Sequence, residues 1–164
     1  MPRYWLMKSE PTCFSLDDLA RAPQGGAPWD GVRNFQARNL LRDEIHAGDG
    51  VLFYHSSCAE PGIVGLAEVV RNGYPDHTAR DPRSDHYDPK ASPANPIWYM
   101  VDVAFRRRLP RPVTRAELAA HPLLAGMMVL RRGCRLSVQP VTADEWRAVL
   151  AVAGCDDPLN ASEG

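Results

Sequence analysis

Ile97-Trp-Tyr-Met-Val-Asp-Val-Ala-Phe105 is the stretch that decides the fold class. Ile97, Tyr99, Val101, Val103 and Phe105 fall on one face of an extended chain. Trp98, Met100, Asp102 and Ala104 fall on the other, and Arg106-Arg-Arg108 ends the run. A period of two with β-branched and aromatic residues is the pattern of a strand. Four further runs read the same way: Tyr4 to Lys8, Val51 to His55, Ile63 to Val70, and Arg135 to Gln139 with Pro140 as its stop. Cys58-Ala-Glu-Pro-Gly62 joins the second and third of these, predicting an antiparallel pair. Short helices lie between the strands. Ser15 opens one, and Asn34 caps another that runs to about Ile45. Thr114-Arg-Ala-Glu117 and Thr142-Ala-Asp-Glu145 are capping boxes. The last helix presents Trp146, Val149 and Leu150 at helical spacing. Residues 71 to 96, rich in Pro, Asp and His, read as one long loop. This order predicts an α+β fold with an antiparallel, partly closed sheet.

A chain of 164 residues with 45% apolar residues can bury one core. The expected division is a single domain over residues 1–155 and a disordered C-terminal tail over 156–164. The formal net charge of −1 does not demand a polyanionic partner, but 17 of the 19 basic residues are Arg. Arg forks bind phosphate and carboxylate in a bidentate way, so local clusters matter more than the total. Cys13, Cys58, Cys134 and Cys155 form no CxxC pair, which sets aside zinc-ribbon and thioredoxin readings. Four reduced thiols and a start, MPRYWLMKSEP, without a long apolar run predict a cytoplasmic protein, or a nuclear one in a eukaryote. No stretch approaches a membrane span. His77, Asp81, Asp85, His86 and Asp88 match no metal signature, so neither metal nor cofactor is expected.

Six blocks, in order, carry a resemblance. They are Tyr4-Trp-Leu-Met-Lys-Ser-Glu-Pro11, Trp29-Asp-Gly-Val-Arg-Asn34, Val51-Leu-Phe-Tyr-His-Ser56, Glu60-Pro-Gly-Ile-Val-Gly-Leu-Ala-Glu-Val69, Tyr87-Asp-Pro89 and Arg131-Arg-Gly-Cys-Arg-Leu-Ser-Val138. They span roughly residues 3 to 152, and together they resemble the EVE domain family. Cys134 stands where other members often carry Asn. The resemblance implies a PUA-like fold, a distorted antiparallel β-barrel flanked by short helices, distantly similar to the YTH domains that cage a methylated adenine. It also implies a non-catalytic, monomeric partner of DNA or RNA that takes a modified base, such as a 5-methylcytosine derivative, into an aromatic pocket.

Holding such a base requires a stacking surface, groups that pair with its edge, and a niche for the added methyl. Trp29, in a Gly/Pro-framed loop, is the first candidate platform. Its other possible role is to plug one barrel end, and the YTH resemblance favours the platform. Asp30 and Val32 share its turn. Trp98 serves equally as a second wall or as core. Lys8, Ser9 and Glu10 end the first strand at the barrel mouth. Lys8 contacts a phosphate or pairs with a carboxylate, and Ser9 bonds a base edge or satisfies a turn. Tyr54, His55 and Ser56 end another strand and are expected at the same mouth, with His55 more often a structural hydrogen-bonding residue. Arg33 grips phosphate or pairs with Asp30, and Asn34 caps its helix. Arg131 and Arg132 precede the strand ending at Gln139 and, with Arg33, form a phosphate-positioning patch. Two alternatives stay open. One is an amidohydrolase-like enzyme acting on modified nucleosides through Lys8 and Glu10, as in the related ASCH branch. The other is an interaction module using Met127, Met128 and Leu130.

Overall fold

The computed structural model describes residues 2–23 and 25–159. Its strands are β1 (Tyr4–Ser9), β2 (Ala27–Pro28), β3 (Gly50–His55), β4 (Gly62–Pro75), β5 (Tyr99–Thr114) and β6 (Val138–Val141). The helices are α1 (Leu16–Ala20), α2 (Phe35–Asp43), α3 (Arg115–Ala120) and α4 (Ala143–Ala153). Ser15, Asn34, Thr114 and Thr142 cap them as the sequence reading expects, each side chain accepting a backbone N–H of the first turn.

The strands form one sheet in the order β2-β5-β4-β3-β1-β6. Two expectations are corrected here. The sheet is open rather than closed into a barrel, because its edges are two- and four-residue strands, β2 and β6, that do not pair with each other. It is also mixed rather than antiparallel. β1 and β3 run parallel, from Tyr4 opposite Gly50 to Ser9 opposite His55. The chain between them is long enough for the crossover a parallel pair needs, since it carries α1, β2 and α2.

Both faces of the central strands are covered. Trp5, Met7, Val51, Phe53, Val101 and Val103 face one core with Leu16 and Leu19 of α1 and Ala37 and Leu41 of α2. Leu6, Leu52, Tyr54, Ile63 and Leu66 face the other with Leu118 of α3 and Trp146, Val149 and Leu150 of α4. Alternation along each strand sends consecutive residues to opposite cores. That is why Val51 to Tyr54 is apolar without a break, as in strands buried on both sides.

Several boundaries move. β4 runs on to Pro75 and β5 continues through Arg106-Arg-Arg108 to Thr114, so the expected long loop starts later. Arg106 pairs with Glu68 and Arg108 with Asp17, which lets the charged segment stay in the sheet. Pro110 and Pro112 fall in the irregularity between the Gly65–Arg108 and Ile63–Val113 pairs, where a missing N–H is tolerated. Pro140 lies inside β6, opposite Trp5, because β6 is an edge strand. Ile97 does not begin β5. It sits at φ +64, unusual for a β-branched residue, with its carbonyl held by Arg38 Nη1 at 2.6 Å. Two residues of the expected tail make contacts with the sheet's second side. Asp157 accepts the Trp146 indole N–H at 3.0 Å, and Leu159 packs on the second core. Residues 160–164 of that tail lie outside the described residues.

Candidate functional site

β1 and β3 are parallel, so their C-terminal ends meet at one end of the sheet. In sheets with parallel strands, ligands commonly bind beyond the carboxyl ends of the strands. Two clefts open there, one for each face. The first, about 740 Å³, lies on the side of the first core. The second, about 350 Å³, lies on the side of the second core. Lys8 lines both.

The wall of the first cleft is the turn Trp29 to Asn34, and Asp76 holds it in place. Asp76 is buried, with 1% of its surface exposed. Its Oδ2 accepts from the Gly31 N–H at 2.8 Å and from Arg33 Nη1 at 3.0 Å. Its Oδ1 accepts from the Thr78 N–H at 2.9 Å and from Thr78 Oγ1 at 2.6 Å. Burial pushes its carboxyl upward, but bonds from Thr78, Gly31 and Arg33 outweigh burial and hold it below the usual carboxylate range. Gly31 sits at φ +76, and a Cβ there would approach the His86 ring to 2.6 Å, so glycine suits the turn twice over.

Trp29 is 7% exposed. Its indole stands edge-on to Phe53 at 5.5 Å and to Phe14 at 6.1 Å. It therefore anchors the first core and presents only a margin to the cleft, which is less than the open platform expected. That margin is chemically distinctive. The other three Trp N–H groups end on carboxylates: Trp5 on Asp49, Trp98 on Asp88 and Trp146 on Asp157. The Trp29 N–H has no partner among the described residues, and no fully buried polar atom there lacks one, so this N–H keeps contact with solvent. Asp30 beside it is exposed at the cleft margin, and desolvation on the side facing the chain, with the nearby Asp76 carboxylate, raises its carboxyl pKa.

The expected single mouth is thus divided between the two clefts. Ser9, Glu10, Trp29, Asp30, Val32, Arg33 and Asn34 join Lys8 in the first, while Tyr54, Ser56 and Arg132 join it in the second. His55, Trp98 and Gln139 line neither. His55 Nε2 accepts the Leu16 N–H at 3.1 Å, tying β3 to the start of α1. Trp98 stacks on Phe35 at 4.8 Å and donates to Asp88 at 2.7 Å, which fixes the loop behind Arg33. Gln139 is buried and donates to the Leu136 carbonyl at 2.7 Å.

Some expected roles change. Arg33 pairs with Asp76 rather than Asp30 and also donates to the His86 and Val32 carbonyls and Thr78 Oγ1, so its donors are engaged away from any phosphate. Ser9 Oγ donates to the Phe14 carbonyl at 2.6 Å, which is the turn role. Asn34 caps α2. Met127 and Val129 are buried, and Leu130 packs against the same second core, leaving little of that segment to form a partner patch. Sequence reasoning missed Phe14, His86, Arg135 and Ser137 in the first cleft, and Asp76 behind it. Only Asp76 carried a local signal, because an Asp two residues before Thr78 can form an Asx turn.

Comparison with known proteins follows the same outline. Residues 3–152 match the EVE domain. Human thymocyte nuclear protein 1 is 45% identical over 165 residues, covering 91% of this chain and 73% of that protein. A solved structure of a hypothetical protein from Leishmania major shares 49% identity and a TM-score of 0.88, covering 94% of this chain and 96% of that one. The structure of human THYN1 protein in complex with 5-methylcytosine-containing DNA shares 42% identity and a TM-score of 0.85, covering 94% and 99%.

Proposed function

Since the chain belongs to the EVE domain family, we propose that it is a non-catalytic nucleic-acid-binding module that takes a flipped modified base, of the 5-methylcytosine type, into the first cleft. The observation that carries this reading is the unpartnered Trp29 N–H on the wall of a cleft whose turn is held in place by Asp76. The 5-methylcytosine DNA held by the THYN1 relative supports the class of ligand.

The chemistry suits such a base. Extrusion from the stack costs a few kcal/mol, and contact with aromatic side chains returns roughly 1–3 kcal/mol per base. Here the aromatic contact comes from the Trp29 margin and Phe14. Pro28 and Val32 supply an apolar niche for a methyl group. The Trp29 N–H can donate to a ring acceptor. The Asp30 carboxylate can accept from an exocyclic amine, the pairing that carboxylates make with cytosine N4. Asn34 and Ser137 are further polar groups at the rim. Each of these edge contacts would go unmade with the wrong base, and an unmade buried bond is the larger source of discrimination.

The test is binding to matched DNA and RNA oligonucleotides that carry cytosine or 5-methylcytosine, at fixed salt. Wild-type protein is expected to prefer the modified base. Trp29→Phe keeps most of the core packing and removes the N–H, and it is expected to weaken binding of both bases by about tenfold, in line with the ~1.4 kcal/mol of one hydrogen bond, because cytosine and 5-methylcytosine share the ring acceptor it would meet. Equal affinity of wild type for both bases would refute the reading.

A further inference from the structure

The second cleft carries a chemistry that the base-binding reading does not use. Four cationic side chains line it, Lys8, Arg115, Arg131 and Arg132, and no carboxylate does. Most other arginines of the molecule are spoken for. Arg3, Arg21, Arg33, Arg42, Arg106, Arg108, Arg111 and Arg147 each pair with an acid within hydrogen-bonding reach. Lys8, Arg131 and Arg132 have no such partner among the described residues. Arg115 donates to the Leu130 carbonyl at 3.2 Å, which fixes its guanidinium at the floor.

A second observation is independent of charge. Tyr54 lines the cleft and is only 3% exposed, yet its hydroxyl has no hydrogen-bond partner among the described residues. No fully buried polar atom among the described residues lacks a partner, so this hydroxyl opens onto the cleft, where it is a donor available to a ligand. Ser57, on the same rim, is held at φ +54 although it is not glycine. Backbone in that region costs energy and clusters at ligand sites.

We propose that the second cleft is a phosphate subsite, which holds a backbone phosphate of the strand whose modified base occupies the first cleft. This rests on the base-binding reading for its choice of ligand. Arg131 and Arg132 supply the fork geometry that suits phosphate oxygens, and the Tyr54 hydroxyl donates from below. Lys8 lines both clefts, so the phosphate belongs to the extruded nucleotide or to its immediate neighbour. The two sites sit on opposite faces of one sheet end, and a strand held at both is bent around the tip of β1.

The experiment uses the full chain, with Arg132→Ala and Tyr54→Phe, and matched cytosine and 5-methylcytosine DNA titrated across a salt series. Arg132→Ala is expected to weaken both complexes several-fold and to reduce the salt slope by about one, leaving the modified-to-unmodified ratio unchanged. Tyr54→Phe is expected to weaken both without changing the slope. Single neutral methylphosphonates are then walked along the strand. One position within a nucleotide of the modified base should cost wild type several-fold and cost Arg132→Ala less, since the two changes remove a shared contact. Unchanged affinity and slope in both variants, or no such position, would overturn the subsite. Saturation by inorganic phosphate alone at micromolar concentration would overturn the strand assignment in favour of a free-phosphate site. A base-binding failure looks different: wild type loses the ratio between the two bases, while the slope change in Arg132→Ala persists.

Discussion

In the first cleft the wall from Trp29 to Asn34 is tied down almost group by group, whereas the rim of the second leaves its cations free. Gly31, Arg33 and Thr78 converge on one buried carboxylate, and the Trp29 ring is wedged between Phe14 and Phe53. Across the sheet end, Arg131 and Arg132 extend from the segment between the Met128–Leu130 turn and β6 without an acid to hold them. The difference follows from what each would recognise. Telling one base from another requires donors and acceptors fixed within a fraction of an ångström, and fixing them requires a buried frame. Gripping a phosphate requires charge and tolerates motion, because phosphate contacts position a strand and carry no sequence information.

Three measurements can break or sharpen that contrast. Asp76→Ala has the largest expected effect. It leaves Arg33 and two backbone N–H groups facing an emptied site, and removing one partner of a buried ion pair costs about 3–5 kcal/mol. Urea denaturation reads this directly, and a loss below about 1 kcal/mol would mean that the wall does not depend on its carboxylate.

An intermediate effect comes from pH. Desolvation by burial lowers the His55 pKa, and the ring must stay neutral to accept the Leu16 N–H. A group with a lowered folded-state pKa contributes stability that is full above its unfolded value and is lost as pH falls through the folded one. Wild-type stability is therefore expected to decline as pH drops below about 6.5, the ordinary histidine value. The decline should be shallower in His55→Asn, and parallel pH profiles of the unfolding midpoint would remove His55 as the cause. This tie belongs to the first face alone.

The smallest effect is on the other side. Arg131→Ala is expected to leave the unfolding free energy within about 0.5 kcal/mol of wild type, since the side chain is exposed and has no partner to lose. A larger loss would show that the second rim is structural after all, and would narrow the contrast between the clefts.

Much of the local structure was legible in the sequence. The four helix caps and the two-residue alternation of β5 beyond Tyr99 are local properties, written in side chains a few positions apart. The extent of β5 was not, because Pro110 and Pro112 read as breakers until the irregular pairing with β4 supplies a place for them. The candidate site was half legible. The Trp29 block and the end of β1 were marked by residue type, and the structure brings them to one cleft. Asp76 escaped because its partners lie 43 and 45 residues away, and Trp98 misled because its off-strand position depends on a single residue, Ile97, at positive φ.

By itself, then, the sequence determined the elements and which residue types are set aside from them, because propensity, capping and periodicity act over a few neighbours. Only the tertiary structure decided that β1 and β3 run side by side in the same direction. That pairing places the ends of both strands at one tip of the sheet. The alternation of side chains there sends Phe53, with Trp29 packed on it, and Tyr54 to opposite faces, so what reads as one mouth becomes two clefts joined through Lys8. Strand direction and neighbour order are set by how two cores can be buried at once, a condition on the whole chain that no short stretch of it contains.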